Sequence, residues 1–257
     1  ELKKIARIFR KRGIESIAIC FMNSFMNPKH EQRAKEILSK SFPDAYLCTS
    51  SDVFPEIREF ERTSTTTVNA YLGPIVDRYL TDLENRTKAW GFGGNVLIIH
   101  SGGGVMSTKL ARTIPSRTCL SGPSSGVVGG AYIGALAGHK NLITFDMGGT
   151  SADLSLVWKG QPLVQSGFKV EFTIPIRFPC VDITTIGTGG GSIAWIDEGG
   201  SLKNGPQSAG AYPGPACYGR GGEQPTNTDA QVVLGVIDPE QFLGGAMSLD
   251  ANKAHQA

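Results

Sequence analysis

Residues 142–157, LITFDMGGTSADLSLV, constrain this 257-residue chain more than any other stretch. An apolar run ends at Asp146, turns through Gly148 and Gly149, passes Thr150 and Ser151, and resumes as DLSLV. Two strand-like runs flanking paired glycines predict a β-hairpin. A tight turn requires only a glycine or two at positive φ. It does not require two carboxylates and two hydroxyls within the same eight residues. Anion chemistry accounts for all of them. Inward-facing backbone N–H groups of a turn cradle phosphate oxygens, and glycines let the backbone approach without a Cβ. Thr150 and Ser151 add hydroxyl donors. Asp146 and Asp153 suit Mg²⁺, usually through its waters. The stretch reads as a phosphate-binding hairpin.

The preceding sequence alternates strands and helices. IESIAICF (14–21) reads as a buried strand, followed by NPKHEQRAKEIL with Asn27 as cap and Pro28 in the first helical position. A second apolar run surrounds Tyr46 and Leu47. A long helix then places Val68, Leu72, Ile75, Val76, Tyr79, Leu80 and Leu83 on one face, with a kink expected at Pro74. NVLIIH (95–100) is another strand and ends in SGGG. Such alternation predicts an α/β layered sheet. Residues 124–137, SSGVVGGAYIGALA, read as a helix in which Gly126, Gly130 and Gly134 recur every four residues. Each interior glycine costs about 1 kcal/mol relative to alanine, so the bare stripe predicts a close approach by a neighbour. Beyond 141 come hairpins and glycine-rich loops, among them TIGTGGGSIAWID (185–197). The nearly uncharged stretch 204–222 is expected to be packed or to line a site. Asp250 reads as the cap of a terminal helix.

Composition narrows the function. A formal charge of +2 leaves no electrostatic footprint for nucleic acid, and the basic opening KKIARIFRKR reads as the solvated face of a helix. The five cysteines never form a CxxC pair. That pattern predicts reduced thiols in the cytoplasm, with neither a disulfide scaffold nor a zinc site. No signal peptide is evident. The uncharged stretch 118–138 holds six glycines, too little apolar bulk for a membrane span. Both termini read as cut points within a longer chain.

Other motifs compete with the hairpin. GxxxxGK[ST] does not occur. GTGGG (187–191) matches part of a dinucleotide fingerprint, without the strand–helix unit that fingerprint needs. Gly122-Pro-Ser124-Ser-Gly126 satisfies GxSxG, with Ser124 as a nucleophile and His255 as a base, yet the glycine stripe already explains Gly126. His100, beside Ser101, Gly102 and Gly103, either faces a cleft or is a satisfied strand-end histidine. His30 and His139 read as surface residues. The REFER run (58–62) reads as a solvated charge cluster or an interdomain contact. Asp182 either reaches the site or caps a turn. Gly189, Gly190 and Gly191 are candidates for a second ligand-facing loop, and Asp229 reads as a helix N-cap.

The hairpin resembles the second phosphate loop of the actin/hexokinase/heat-shock-chaperone ATPase superfamily, a strand–turn–strand with Asp-x-Gly-Gly. Within it, the chain resembles the hydantoinase/oxoprolinase family, hydantoinase A (N-methylhydantoinase) type, through FMNSFMNPKHE, SSDVFPEIREFERTSTTTVNAYL, SGPSSGVVGGA, DMGGTSADLSLV, TIGTGGGSIAWID and GPQSAGAYPGPACYGRGGEQPTNTDA, in that order. The resemblance implies a partial ribonuclease H-like ATPase fold. Residues 1–138 would form the later part of a first lobe, ending in a connecting helix over 124–137, and 139–257 the start of a second. It implies ATP and Mg²⁺ as cofactors and opening of a cyclic amide (a hydantoin or 5-oxoproline) through phosphorylation of the amide oxygen. Asp146 would hold the Mg²⁺ water shell, Gly148, Gly149, Thr150 and Ser151 would bind phosphates, and Asp153 would support metal or nucleophile. Gly189–Gly191 would lie near adenosine. A hydantoinase B type partner subunit and an oligomer are implied. ATP-dependent carboxylation of acetone-like or acetophenone-like ketones, and a non-catalytic actin-like nucleotide switch, stand as alternatives. The superfamily closes two phosphate loops on its nucleotide, and only one Asp-x-Gly-Gly-Thr occurs here, so weak nucleotide binding and no turnover are expected of this chain alone.

Overall fold

A computed structural model describes residues 1–170 and 174–257. In chain order the elements are α1 (Leu2–Lys11), β1 (Ser16–Ile19), α2 (Lys29–Ser41), β2 (Tyr46–Thr49), α3 (Ser50–Val53), α4 (Glu59–Ala89), β3 (Leu97–Ile99), β4 (Val105–Ser107), α5 (Thr108–Thr113) and α6 (Ser121–Leu136). The hairpin β5 (Leu142–Met147) and β6 (Ala152–Trp158) follows, then the short strands β7 (Gln161–Pro162), β8 (Val164–Gln165), β9 (Phe168–Val170), β10 (Ile174–Ile176), β11 (Cys180–Val181) and β12 (Thr184–Ile186). The chain continues with β13 (Ser192–Ile196), β14 (Leu202–Ser208), α7 (Asn227–Val233) and α8 (Ala251–Gln256). The fold is mixed α/β. Its contacts define two units: residues 1–129 with 162–182, and residues 130–161 with 183–257. Compared with the boundary expected at 138/139, this division falls inside α6 and returns 162–182 to the first unit.

In the first unit β1 and β2 pair in parallel, Ser16 opposite Tyr46 through Ile19 opposite Thr49, with α2 as the crossover a parallel pair needs. The helix starts one residue later than read, with Pro28 as N-cap and Lys29 as the first helical residue, and Asn27 Oδ1 accepts from Lys29 N at 3.2 Å. Ala6, Ile17, Ile19, Ala34, Leu38 and Phe42 form the core between the two helices and β1.

The long helix α4 departs from its apolar reading. Leu80 is buried with Met106 and Ala111, and Val68 packs beside Ile176 and Phe178. Ile75 and Tyr79, however, are 51% and 62% exposed. The buried face of the N-terminal half is polar instead: Arg62, Thr65, Thr66 and Asn69 are fully buried. Nor is REFER simply solvated. Arg62 Nε donates to Ser50 Oγ at 3.1 Å, its Nη1 to Glu56 O at 3.0 Å and its Nη2 to Phe21 O at 2.8 Å. Ser50 Oγ in turn donates to Glu31 Oε1 at 2.6 Å, and Glu31 also accepts from Phe21 N at 2.7 Å and Ser51 N at 2.9 Å. A buried charge is tolerated only when its hydrogen-bonding capacity is met, and this cluster meets it. The segment 162–182 packs here too, with Arg177 N donating to Thr65 Oγ1 at 3.0 Å.

In the second unit β12, β6 and β5 form one antiparallel sheet, to which β7 is added beside β6. The glycine stripe of α6 lies against it. A Cβ at Gly130 would stand 2.7 Å from Thr144 Cγ2, and one at Gly134 would overlap the Leu142 side chain. β13 and β14 form a separate antiparallel pair, so residues 204–208 are strand rather than loop. At α7 the N-cap is Thr226, and Asp229 sits at N3 of a capping box, one turn inside the position read from sequence. Asp250 caps α8 as expected, accepting from Lys253 N at 3.1 Å.

Candidate functional site

The turn between β5 and β6 is built without left-handed backbone. Gly148 and Gly149 both lack positive φ, so turn geometry does not explain them. A Cβ on Gly149 would meet nothing within 4 Å, and one on Gly148 only Ser151 O at 3.6 Å. What glycine secures here is open space beside the loop. Gly148 N closes the turn on Ser151 O at 2.9 Å, while the N–H groups of Gly149, Thr150 and Ser151 find no partner among the described residues.

A strap holds this loop from behind. Gly190 N donates to Gly148 O at 2.9 Å, and Gly191 N to Gly149 O at 2.7 Å. A Cβ on Gly189 would stand 2.6 Å from the backbone nitrogens of Thr150 and Ser151, so only glycine allows the two backbones to touch. Asn227 Nδ2 fixes Gly189 O at 2.8 Å, and Thr228 Oγ1 and N both donate to Gly190 O. Gly189 N donates to Ser192 Oγ at 2.7 Å. The N–H groups of all three strap glycines are therefore committed within the protein. They position the phosphate-loop candidate rather than offer donors of their own.

Loop and strap line a cavity of about 740 Å³ within the second unit, in the range of small-molecule sites. Its lining also includes Tyr218, Arg220, Gln231, Phe242 and Met247. Sequence reasoning expected 204–222 to line a site, yet singled out none of these five. For Tyr218 and Arg220 the signal was an aromatic and a cation inside an otherwise uncharged Gly/Pro stretch; Gln231, Phe242 and Met247 lie outside it and carried none.

Asp146 and Asp153 lie directly opposite each other across the hairpin. Like charges so placed repel. Thr185 Oγ1 donates to Asp153 Oδ1 at 2.6 Å, while the Asp146 carboxylate has no partner among the described residues. Alternation along β5 turns Asp146 to the face opposite Met147, which lines the cavity. Among the described residues no group of three or more His, Cys, Asp or Glu could hold a metal by itself. Two carboxylates fit Mg²⁺, which keeps most of its waters and takes one or two carboxylates together with phosphates.

His100, Ser101, Gly102 and Gly103 belong to the first unit. His100 Nδ1 accepts from Gly102 N at 3.0 Å. Burial and then the Arg117 charge hold its pKa below the ordinary value, so the ring is neutral at pH 7. Ser101 is fully buried, its hydroxyl donating to Arg117 O at 2.7 Å. Ser124 is also fully buried and donates to Ser101 O at 2.8 Å. A buried, committed hydroxyl is no nucleophile, which removes the GxSxG reading. Asp182 N donates to Leu163 O at 2.8 Å. His30 and His139 are exposed. Burial pushes the Cys48 and Cys217 thiols up to about 12, which makes both inert. No described helix is long and apolar enough to cross a membrane.

The chain combines a mixed α/β fold with a glycine-rich turn held by a glycine strap. Comparison with known sequences narrows the class: residues 62–257 match the hydantoinase/oxoprolinase family and residues 1–42 its N-terminal region. The chain belongs to the hydantoinase/oxoprolinase family. It is 40% identical to the caprolactamase subunit alpha of Pseudomonas jessenii, over 97% of this chain and 36% of that protein. It is 37% identical to 5-oxoprolinase 1 of Arabidopsis thaliana, over 94% of this chain and 19% of the relative. A solved structure of the ATP-dependent caprolactamase superposes with TM-score 0.79 at 37% identity, and nucleotide-free acetone carboxylase with 0.77 at 32%. Each covers 98% of this chain, which spans 36% of either one.

Proposed function

We propose that this chain carries the nucleotide phosphate-binding half of an ATP-dependent amidohydrolase that opens a cyclic amide, within a ribonuclease H-like ATPase fold. The observation that carries the reading is the loop itself: two glycines without left-handed φ, open space where their Cβ atoms would be, and three successive free N–H groups. Gly149, Thr150 and Ser151 donate to phosphate oxygens, and the strap at Gly189–Gly191 fixes their spacing. Asp146 and Asp153 share the hairpin face opposite the cavity-lining Met147, so they would reach the water shell of Mg²⁺ from that side of the turn, where the ion would neutralise charge on the transferring phosphoryl group. Such preorganised donors supply stabilisation as charge develops and need no rearrangement at that moment. The relatives named as 5-oxoprolinase and caprolactamase support a lactam-type substrate, and the relatives named as subunits support a partner subunit of the hydantoinase B type in a larger assembly.

The test is ATP hydrolysis by the full-length gene product with its partner subunit, with and without 5-oxoproline, hydantoin or caprolactam. Amide-stimulated phosphate release is expected, and it should be lost in Gly149→Val, whose side chain fills the open space. Acetone with bicarbonate forms a second arm, motivated by the likeness to acetone carboxylase. Stimulation in that arm alone would move the chain to the carboxylases. Nucleotide binding without stimulation by any arm would make it a switch.

A further inference from the structure

The cavity beside the β5–β6 loop has further lining residues whose chemistry differs from the loop's. Thr228 and Gln231 are three residues apart on α7, which places them on one face of that helix. Thr228 is tied to Gly190 beside the loop, so Gln231 stands one turn farther away, and both line the cavity. The Gln231 backbone is fixed, its carbonyl accepting from Val236 N at 2.9 Å and Ile237 N at 3.2 Å. Its side-chain amide, by contrast, has no partner among the described residues. A half-buried amide facing a mostly apolar wall carries unmet donors and an unmet acceptor.

That wall is aromatic. The Tyr218 and Phe242 rings lie 5.8 Å apart at 43°, the Arg220 guanidinium stands 5.8 Å from the Tyr218 ring centre, and Arg220 Nη2 is 3.9 Å from Met247 Sδ. No carboxylate pairs with Arg220 among the described residues. Flat rings and a guanidinium plane are surfaces on which bases stack. A free amide is the side chain that pairs bidentately with the adjacent donor and acceptor of adenine.

We infer that Gln231 is the base-reading residue of this site, pairing with the polar edge of a purine stacked against Tyr218 and Arg220. This rests on the phosphate-loop reading, because it needs the phosphates at Gly149–Ser151 to orient the nucleotide along the cavity. One lining then combines what a nucleoside triphosphate needs: anion donors at the loop, and an aromatic wall with one amide.

The experiment measures equilibrium binding of ATP, GTP and inorganic tripolyphosphate, each with Mg²⁺, to the full-length protein and its Gln231 variants. Gln231→Ala should weaken ATP roughly tenfold, within the range measured for bidentate base contacts, and leave tripolyphosphate unchanged. Gln231→Glu should shift the ATP-to-GTP affinity ratio toward GTP by about tenfold. A carboxylate accepts two hydrogen bonds and donates none, which suits the two adjacent N–H donors of guanine and opposes the ring nitrogen of adenine. Tripolyphosphate binding that is intact, with ATP and GTP affinities that ignore both substitutions, would overturn this inference alone. Failure of wild type to bind tripolyphosphate would overturn the phosphate reading and this inference with it. A Gln231→Ala enzyme with normal ATP affinity and a raised KM for the cyclic amide would place the lactam against Gln231 and also overturn it.

Discussion

The chain contains two dense polar clusters, and they are opposites. Around Glu31, Ser50 and Arg62 the charged groups are fully buried and held by short bonds to neighbours. Around Gly148–Ser151 the residues stand largely open, and three consecutive N–H groups donate to nothing in the protein. The first cluster is closed to further chemistry because its bonding capacity is used. The second keeps donors free and is still rigid, because the strap at Gly189–Gly191 takes up the loop's carbonyls. Polar density alone therefore does not mark a site. Unmet polar capacity beside open space does.

This contrast predicts that the two clusters fail differently. In the full-length enzyme, Asp146→Asn should lower amide-dependent ATP turnover by about 10²–10³-fold or more, the range for losing one preorganised charge-stabilising group. The unfolding midpoint should not fall, since the change keeps the shape of an unpaired side chain and removes a like charge opposite Asp153. Turnover near wild type would place the chemistry outside this hairpin.

The closed cluster should behave the other way round. Arg62→Met removes a buried guanidinium and strands Ser50 Oγ, Glu56 O and Phe21 O. Breaking a buried charged network this way costs about 3–5 kcal/mol, read as a fall in the urea midpoint, with turnover per folded molecule unchanged. If Arg62→Met proved neutral, the cluster would not be holding the 20–27 and 54–62 segments together.

The hairpin, the helix start at Asn27-Pro28 to within one residue, and the glycine stripe were legible because each is set by residues close in sequence. The β5–β6 hairpin follows from two apolar runs flanking a short polar break. The positions of Gly130 and Gly134 follow from a period of four. Arg62 was not legible: no local pattern says that a charge in REFER will meet Ser50 and Phe21 O, and apolar periodicity is blind to a buried polar face. For the same reason Ile75 and Tyr79 fit the stripe of α4 yet face solvent. Asp229 was placed on the right helix but at the wrong position, since Thr226 and Asp229 both suit an N-terminus and only the capping box separates their roles. The rest of the cavity lining joins residues 218–220, 231 and 242–247, and only the folded chain brings them together.

The glycine stripe gives a smaller test, within the unit that carries the loop. Gly130→Leu should cost about 1–3 kcal/mol by overpacking against Thr144. The double variant with Thr144→Ala should recover part of that loss, because the nearest atom to the new side chain is Thr144 Cγ2. Additive losses in the double variant would mean that the clash lies elsewhere.

The smallest expected effect is a pH dependence confined to the closed cluster. Burial by itself raises the pKa of the Glu31 carboxyl, but hydrogen bonds from Ser50 Oγ, Ser51 N and Phe21 N favour the charged form and bring it below its ordinary value. A carboxylate depressed on folding contributes stability that is fully present above its unfolded pKa, about 4.3. That contribution is lost as pH falls through the lower folded value, because protons then bind the unfolded chain more readily. Glu31→Gln removes this linkage while keeping an acceptor for Ser50. Urea midpoints taken from pH 7 down to pH 3 should therefore fall more steeply for wild type than for Glu31→Gln, with the curves parallel above pH 5. A Glu31→Gln curve that tracked wild type would show that the Glu31 carboxylate is held no more tightly in the folded chain than in water.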